Sequence, residues 1–372
     1  MLDRLPLCHL VSVDQTDPVP PSWVLHVDLD QFVAAVEVLR RPELARLPVI
    51  VGGRGDPSER GVVSTASYEA RAFGVGSGMP LRMAARKCPD AVFVPVDAPA
   101  YEAASLAVMA VLRTLTPVVE VLGWDEAFLA VETADPEAFG RDVQVQILAR
   151  CQLHSSVGVG DNRLRAKLAT GYAKPAGIFR LTEDNWFEVM ADRAPDALWG
   201  IGRKTAKRLA AHGLHTVRQL ADADPTWLAE QLGPVMGPWY RRLARGVDRT
   251  LVTSDPYIAR SHGRETTFQA NITARSEVEE HVRRLARRVA HDVHGDGRPV
   301  IRVWLKVRYA PFQTHTYSVA LKPPTDEASV IERAAVGLLT KVDTARAVRL
   351  LGVRAELAAP GPDSEDRGQV SS

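Results

Sequence analysis

The run Val24-Leu25-His26-Val27-Asp28-Leu29-Asp30-Gln31-Phe32-Val33-Ala34-Ala35-Val36-Glu37 constrains this chain most. Its first half is apolar enough for a buried strand. It ends on two carboxylates, and Phe32, Val33 and Val36 then fall at helical spacing. A buried strand that delivers acids straight into a helix is a common way to build a metal or phosphate site. The acids sit on a rigid element, and the helix start offers backbone N–H groups to an anion. Asp28 and Asp30 are two apart, so a strand points both to one face. Asp30 can instead cap the helix. One structural aspartate plus one cap is the alternative to a metal pair, and this stretch alone leaves both open.

A second acidic element has the shape of a hairpin. Val118-Val119-Glu120-Val121 enters, Gly123 allows a tight turn, and Asp125-Glu126-Ala127-Phe128-Leu129-Ala130-Val131 leaves. Adjacent carboxylates between apolar strands repel each other, and a nearby cation would stabilise them. With Asp28 on a neighbouring strand, three carboxylates can hold two Mg²⁺ ions, a set suited to phosphoryl transfer. The alternative is an exposed acidic turn. The flanking Trp124 and Phe128 argue against it.

Two further stretches suit a polyphosphate. Gly61 to Arg71 reads as a strand through Val62 and Val63, then a helix that Ser64, Thr65 or Ser67 can cap. Tyr68 and Arg71 share a face of that helix, and an Arg fork matches phosphate oxygens. Cys151 to Gly160 reads as another strand, and Asp161 to Lys167 opens a basic helix. Lys174 closes it before a Pro–Gly turn, placed either to reach a triphosphate or to balance the helix C-terminus.

The formal charge of +1 rules out a globally basic chain, so nucleic acid must be held by local patches. One is Trp199-Gly200-Ile201-Gly202-Arg203-Lys204, which has the glycine hairpin and basic start of a helix-hairpin-helix module. Such a hairpin grips DNA phosphate through backbone N–H groups without reading sequence. Another is Arg302, Lys306 and Arg308 alternating on a strand at Val300–Tyr309. Around that strand the order strand, helix, strand, strand, helix, strand runs from near Phe268 to Arg354, a small α+β domain. The length of 372 residues suits several domains. Cys8, Cys88 and Cys151 are too few and too scattered for a disulfide framework or a zinc site, which fits a reducing cytoplasm. No run is long enough to span a membrane, and Met1 to Pro21 lacks the apolar core of a signal peptide. The tail from Pro360 is polar and expected to be disordered.

The motifs occur in a specific order. Val-Asp28-Leu-Asp30-Gln-Phe precedes Ser64-Thr-Ala-Ser-Tyr68-Glu-Ala-Arg71, then Asp125-Glu126-Ala-Phe-Leu, Ala-Lys174-Pro-x-Gly, the Gly-x-Gly hairpin and Arg264-Glu-Thr-Thr-Phe. From about residue 23 to 357 the chain resembles the Y-family DNA polymerases of the DinB, or polymerase IV, type. The resemblance implies an α+β right hand with a little finger. It implies a leader at 1–22, palm at 23–30 and 98–181, and small fingers at 31–97. A helical thumb with the helix-hairpin-helix follows at 182–250, a linker at 251–258, the little finger at 259–358 and a disordered tail at 359–372.

It further implies that Asp28, Asp125 and Glu126 are catalytic and, with the Leu29 carbonyl, bind two Mg²⁺ ions, or Mn²⁺. Asp30 would then be structural. Gln31, Phe32, Val33, Thr65, Tyr68, Arg71 and Lys174 would meet the incoming nucleotide. Gly200, Gly202, Lys204, Arg264 and Arg302 would meet DNA. The implied partners are primer–template DNA and deoxynucleotides, for a monomer in the cytoplasm.

Two departures stand out. The residue after Phe32 is normally a Phe or Tyr that blocks a 2′-hydroxyl, and here it is Val33. This aliphatic gate, with Gly123-Trp124 before the acid pair, looks like a mycobacterial-type subgroup and implies weak discrimination against ribonucleotides. The polar stretch Gly361–Ser372 holds no Gln-then-hydrophobic clamp peptide, which argues against sliding-clamp binding by that route. A non-catalytic polymerase-like scaffold is the alternative reading, but it predicts loss of the acids, and all three are present. A cyclase or template-free nucleotidyltransferase would have no use for a duplex grip.

Overall fold

A computed structural model describes residues 22–343 and 345–360. In chain order, β1 (Ser22–Leu29) runs into α1 (Phe32–Arg40). Then come β2 (Val49–Val51), β3 (Thr65–Ala66), α2 (Tyr68–Ala72), α3 (Leu81–Lys87) and β4 (Val92–Val94). The long α4 (Ala98–Leu115) leads to the hairpin β5 (Val118–Val121) and β6 (Glu126–Glu132). α5 (Pro136–Cys151), β7 (Ser155–Gly160), α6 (Arg163–Ala173) and β8 (Ile178–Leu181) follow. Helices α7 (Trp186–Met190), α8 (Arg203–Ala211), α9 (Val217–Asp222), α10 (Pro225–Leu232) and α11 (Met236–Ala244) form a helical segment. The chain then gives β9 (Ser261–Ile272), α12 (Arg275–Asp296), β10 (Val300–Tyr309), β11 (Thr314–Thr325), α13 (Ala328–Gly337) and β12 (Val348–Leu357).

These elements cluster into two units. One holds described residues up to 55 with 64–77 and 90–255; the other holds 56–63, 78–89 and 256–360. Two pieces of the stretch expected as fingers thus belong with the C-terminal domain.

The first unit is built on a five-stranded sheet, ordered β5-β6-β1-β7-β8. β1 is its middle strand, and Leu25, Val27 and Leu29 are buried. Each such side chain contributes about 1.5–3 kcal/mol, which fixes the strand that carries Asp28. α6 lies directly on β7 because that strand has glycines. A Cβ at Gly158 would lie 2.0 Å from the Ala166 carbonyl, and one at Gly160 would lie 2.4 Å from the Ala166 nitrogen. Gly158→Ala is expected to destabilise the fold by about 3 kcal/mol or more, because neither backbone can yield cheaply. Gly171 on α6 meets open space, so Gly171→Ala should be stabilising by up to ~1 kcal/mol. Urea midpoints would check the pair. In the same unit β3-β2-β4 forms a small sheet, and α7 to α11 close around Trp186, Leu209, Leu220 and Leu228.

The second unit has a four-stranded sheet, ordered β11-β10-β12-β9, with α12 packed against β9 and β12 and α13 against β10. Val303, Leu305 and Val307 are buried in its core, which turns Arg302, Lys306 and Arg308 to the opposite face.

Several local expectations differ. Val62 and Val63 do not continue a strand; Val62 makes an isolated bridge to Pro80, and Thr65–Ala66 pairs with β2 instead. The strand expected from Cys151 starts at Ser155, since Cys151 still ends α5. The helix expected over about 328–342 turns 3-10 after Gly337. Ser22, placed in the leader, already belongs to β1. The rest of the leader and residues 361–372 of the tail lie outside the described residues. Among the described residues no helix is long and apolar enough to cross a membrane.

Candidate active site

The acids meet where β1 ends and β6 begins. The antiparallel register sets Asp28 opposite Glu126, and the Leu29 N–H donates to the Asp125 carbonyl at 2.8 Å. Asp28, Asp125 and Glu126 are half-buried. Burial, and secondarily the neighbouring Glu126 charge, push the Asp125 carboxyl above its ordinary value. Burial does the same to Asp28, although Lys174 opposes it. Glu126 goes the other way, down to about 2, because His26 and Lys167 face it.

Lysines on α6 and at its C-terminal cap approach two of the acids. The Lys174 ammonium donates to Asp28 at 2.5 Å, and Lys167 donates to Glu126 at 2.5 Å. Among the described residues no three of His, Cys, Asp or Glu converge as a finished metal cage. The donor chemistry nonetheless fits a hard divalent cation, because carboxylate oxygens from two strand ends are what Mg²⁺ or Mn²⁺ prefers. Two carboxyls raised by burial mark a site short of positive charge, which a cation would supply.

Asp30 does not cap α1. Gln31 is the N-cap, in the left-handed region at φ 44, with no side-chain cap bond. Asp30 is buried and accepts hydrogen bonds from the Tyr68 hydroxyl at 2.7 Å, Ser156 at 2.9 Å and the Ala176 N–H at 2.8 Å. It therefore pins three segments together, a structural part.

Gln31 accepts from the Tyr68 N–H at 2.6 Å, which ties the start of α1 to α2. Ser67 is the residue that caps α2. The Arg71 guanidinium lies 4.9 Å from the Tyr68 ring centre, and its Nε donates to the Ala66 carbonyl at 2.9 Å. Burial and the bond to Asp30 raise the Tyr68 pKa strongly, so the phenol stays protonated. Thr65 sits on β3 opposite Val51. Phe32 and Val33 begin α1, whose first-turn amides have no partner within the helix. Val33 is only 8% exposed.

Gly200 to Gly202 form a turn that leads into α8. Gly200 has φ +98, and a Cβ there would meet Trp239 at 2.8 Å. Gly202 is the N-cap of α8 with open space beside it, and Lys204 is exposed. Arg264 and Arg302 belong to the second unit and have acidic partners. Arg264 makes a two-pronged pair with Asp292 at 2.6 and 2.7 Å. Arg302 lies 3.5 Å from Glu356.

Sequence reading missed His26 and Lys167. Lys167, Thr170 and Lys174 recur at spacings of three and four, one helical face, and that was the available signal.

Residues 27–171 match the impB/mucB/samB family, and residues 259–370 match that family's C-terminal domain. DNA polymerase IV 2 of Mycobacterium bovis is 51% identical over 342 residues, 91% of this chain and 99% of that protein. The chain belongs to the DinB-type Y family of DNA polymerases. DNA polymerase IV of Methanoculleus marisnigri is 38% identical to this polymerase, over 91% of this chain and 95% of its own. A Y-family DNA polymerase chimera superposes on it with a TM-score of 0.77 at 25% identity, covering 90% of this chain and 98% of that one. DinB from Sulfolobus solfataricus gives 0.61 at 25% identity, covering 91% and 100%. The protein is a DNA-directed DNA polymerase of the translesion class. Its fold is the palm and fingers with a separate β-rich little finger. Polymerases of this family use divalent metal ions.

Proposed function

We propose that this polymerase extends a DNA primer on a template with low fidelity, through two divalent cations held by Asp28, Asp125, Glu126 and the Leu29 carbonyl. The observation that carries the reading is the β1–β6 register, which brings the acids of two distant motifs to one strand end beside Lys174. Mg²⁺ or Mn²⁺ there would activate the primer hydroxyl and offset charge on the transferred phosphate. The chain's own side chains do the positioning. The first-turn amides at Gln31 and Phe32, with Thr65, Tyr68 and Arg71, line a cradle for the triphosphate. Lys174 leaves Asp28 for a phosphate oxygen when the cation arrives. Asp30 keeps Tyr68 in place for that contact.

The layout follows the same reading. The palm is 23–30 with 98–181, the fingers 31–97, the thumb 182–250 and the little finger 259–358. Gly200, Gly202 and Lys204 hold primer phosphates. Arg264 and Arg302 turn from Asp292 and Glu356 to the DNA backbone. Val33 leaves room for a 2′-hydroxyl, so ribonucleotides as well as deoxynucleotides are substrates.

Extension of a labelled primer on templates of different sequence tests the reading. The expected product follows the template and disappears with EDTA. Template-independent addition, or no addition with either Mg²⁺ or Mn²⁺, would overturn it. Lys174→Met is expected to raise the KM for the incoming nucleotide about 10- to 100-fold, the loss of one bond to a charged group. Steady-state kinetics on one template would measure this.

A further inference from the structure

Lys167 is held by three segments that are far apart in sequence. Its ammonium lies 2.5 Å from Glu126 Oε2 and 3.2 Å from His26 Nε2. It also lies 5.4 Å from the centre of the Trp199 ring. A lysine ammonium has three N–H donors and no acceptor. Here the three have a carboxylate, an imidazole nitrogen and an aromatic face to meet.

His26 is fixed from its other side, where its Nδ1 lies 2.8 Å from Thr170 Oγ1 on α6. Its Nε2 lies 3.2 Å from Lys167 and 3.3 Å from Glu126. Lys167 approaches Glu126 more closely than His26 does, at 2.5 Å, and so makes the shorter hydrogen bond that orients the Glu126 carboxylate.

Trp199 reaches the other way. It stands immediately before the Gly200–Gly202 hairpin, and its ring is 6.2 Å from Phe128 on β6. It lines a cavity of about 930 Å³ together with Gly200, Trp239, Arg242 and Arg249. Aromatic faces beside arginines suit a nucleic-acid strand. A strand that enters this cavity touches the ring whose other neighbour is Lys167.

We propose that Lys167 is the positioning residue for Glu126 and that Trp199 couples it to the DNA-gripping hairpin. Seating of duplex DNA and cation binding at Glu126 then favour one another. Lys167 holds the carboxylate in place for the cation, and its contact with the Trp199 ring carries the seating of DNA to it. The inference rests on the reading of Glu126 as a cation ligand and of the hairpin as a DNA grip.

The test compares wild type, Lys167→Met, Lys167→Arg, Trp199→Leu and Asp125→Ala as full chains. Mn²⁺ binding without nucleotide is followed by the spin resonance of free Mn²⁺, with and without a primer–template duplex. Duplex affinity in EDTA is read by fluorescence anisotropy, and single-turnover insertion gives the rate. In wild type the duplex is expected to tighten Mn²⁺ at least fivefold. Lys167→Met and Trp199→Leu should reduce that coupling below twofold. Lys167→Met should also slow insertion at least tenfold, with duplex affinity in EDTA unchanged within twofold. Lys167→Arg should recover both the rate and the coupling to within threefold of wild type, which a general loss of folding would not allow. Wild-type coupling and rate in Lys167→Met, with Asp125→Ala inactive, would overturn this proposal and leave the polymerase site standing. An active Asp125→Ala would instead overturn the reading on which it rests.

Discussion

Asp125→Asn is expected to reduce templated insertion by about 10³-fold, the scale of losing one preorganised charge at a reacting phosphate. Asparagine keeps the shape and one oxygen but cannot neutralise a cation. Duplex affinity should be unchanged, because the hairpin glycines and Lys204 lie on other segments. Stability gives a second, opposite sign. Burial holds the Asp125 carboxyl above its ordinary value, so the ionised form opposes folding. Without metal, such a group favours the folded state while protonated, and that contribution is lost as pH rises through the raised folded value. Asparagine removes the cost. In EDTA at neutral pH the variant should therefore melt higher than wild type. Glu126 has the opposite sign, since its value is lowered to about 2. Its contribution is full at neutral pH and is lost as pH falls from about 4.5 through about 2. Activity within tenfold of wild type, or a lower melting temperature in EDTA, would contradict this account of Asp125.

Val33→Phe is expected to cut ribonucleotide insertion by about 100-fold while deoxynucleotide insertion stays within about threefold. The magnitude follows from what a single steric difference in a pocket achieves. Val33 stands in the first turn of α1, against the core and 8% exposed. On the proposed reading, a phenyl ring there would take up the space left for a 2′-hydroxyl. The packing cost of about 1–3 kcal/mol bears on stability and both substrates alike, so the ratio of the two insertion rates isolates the gate. Matched single-nucleotide insertions with each substrate would measure it. A wild type that already rejects ribonucleotides as strongly as the variant would place the selectivity elsewhere.

What could be read from the residues, and what could not, divides along a physical line. The strand ending at Asp28 and the hairpin carrying Asp125 and Glu126 were legible because burial writes local patterns: apolar runs, a glycine turn, alternation. β10 was legible to the residue for the same reason, with Val303, Leu305 and Val307 in and Arg302, Lys306 and Arg308 out. The part played by Asp30 was not, because its partners Tyr68, Ser156 and Ala176 come from other segments. Of the alternatives the stretch left open, capping α1 is ruled out because the left-handed Gln31 takes that position, and the structural part implied by the resemblance is the one the hydrogen bonds give. The strand expected at Val62 and Val63 failed because the partner chosen by β2 decides pairing, and β-branched residues only favour it. Lys167 shows the limit best. Its helical face was visible, but that it meets Glu126, His26 and Trp199 depends on glycines in β7 that let α6 lie on the sheet.

The most direct test of the central claim is anomalous diffraction from crystals of the full chain with primer–template, a non-hydrolysable deoxynucleotide and Mn²⁺. The account predicts two Mn²⁺ peaks, bound by Asp28, Asp125, Glu126 and the Leu29 carbonyl, with Lys174 moved from Asp28 to the triphosphate. Nucleotide bound with no Mn²⁺ at these acids, and Lys174 still paired with Asp28, would contradict it.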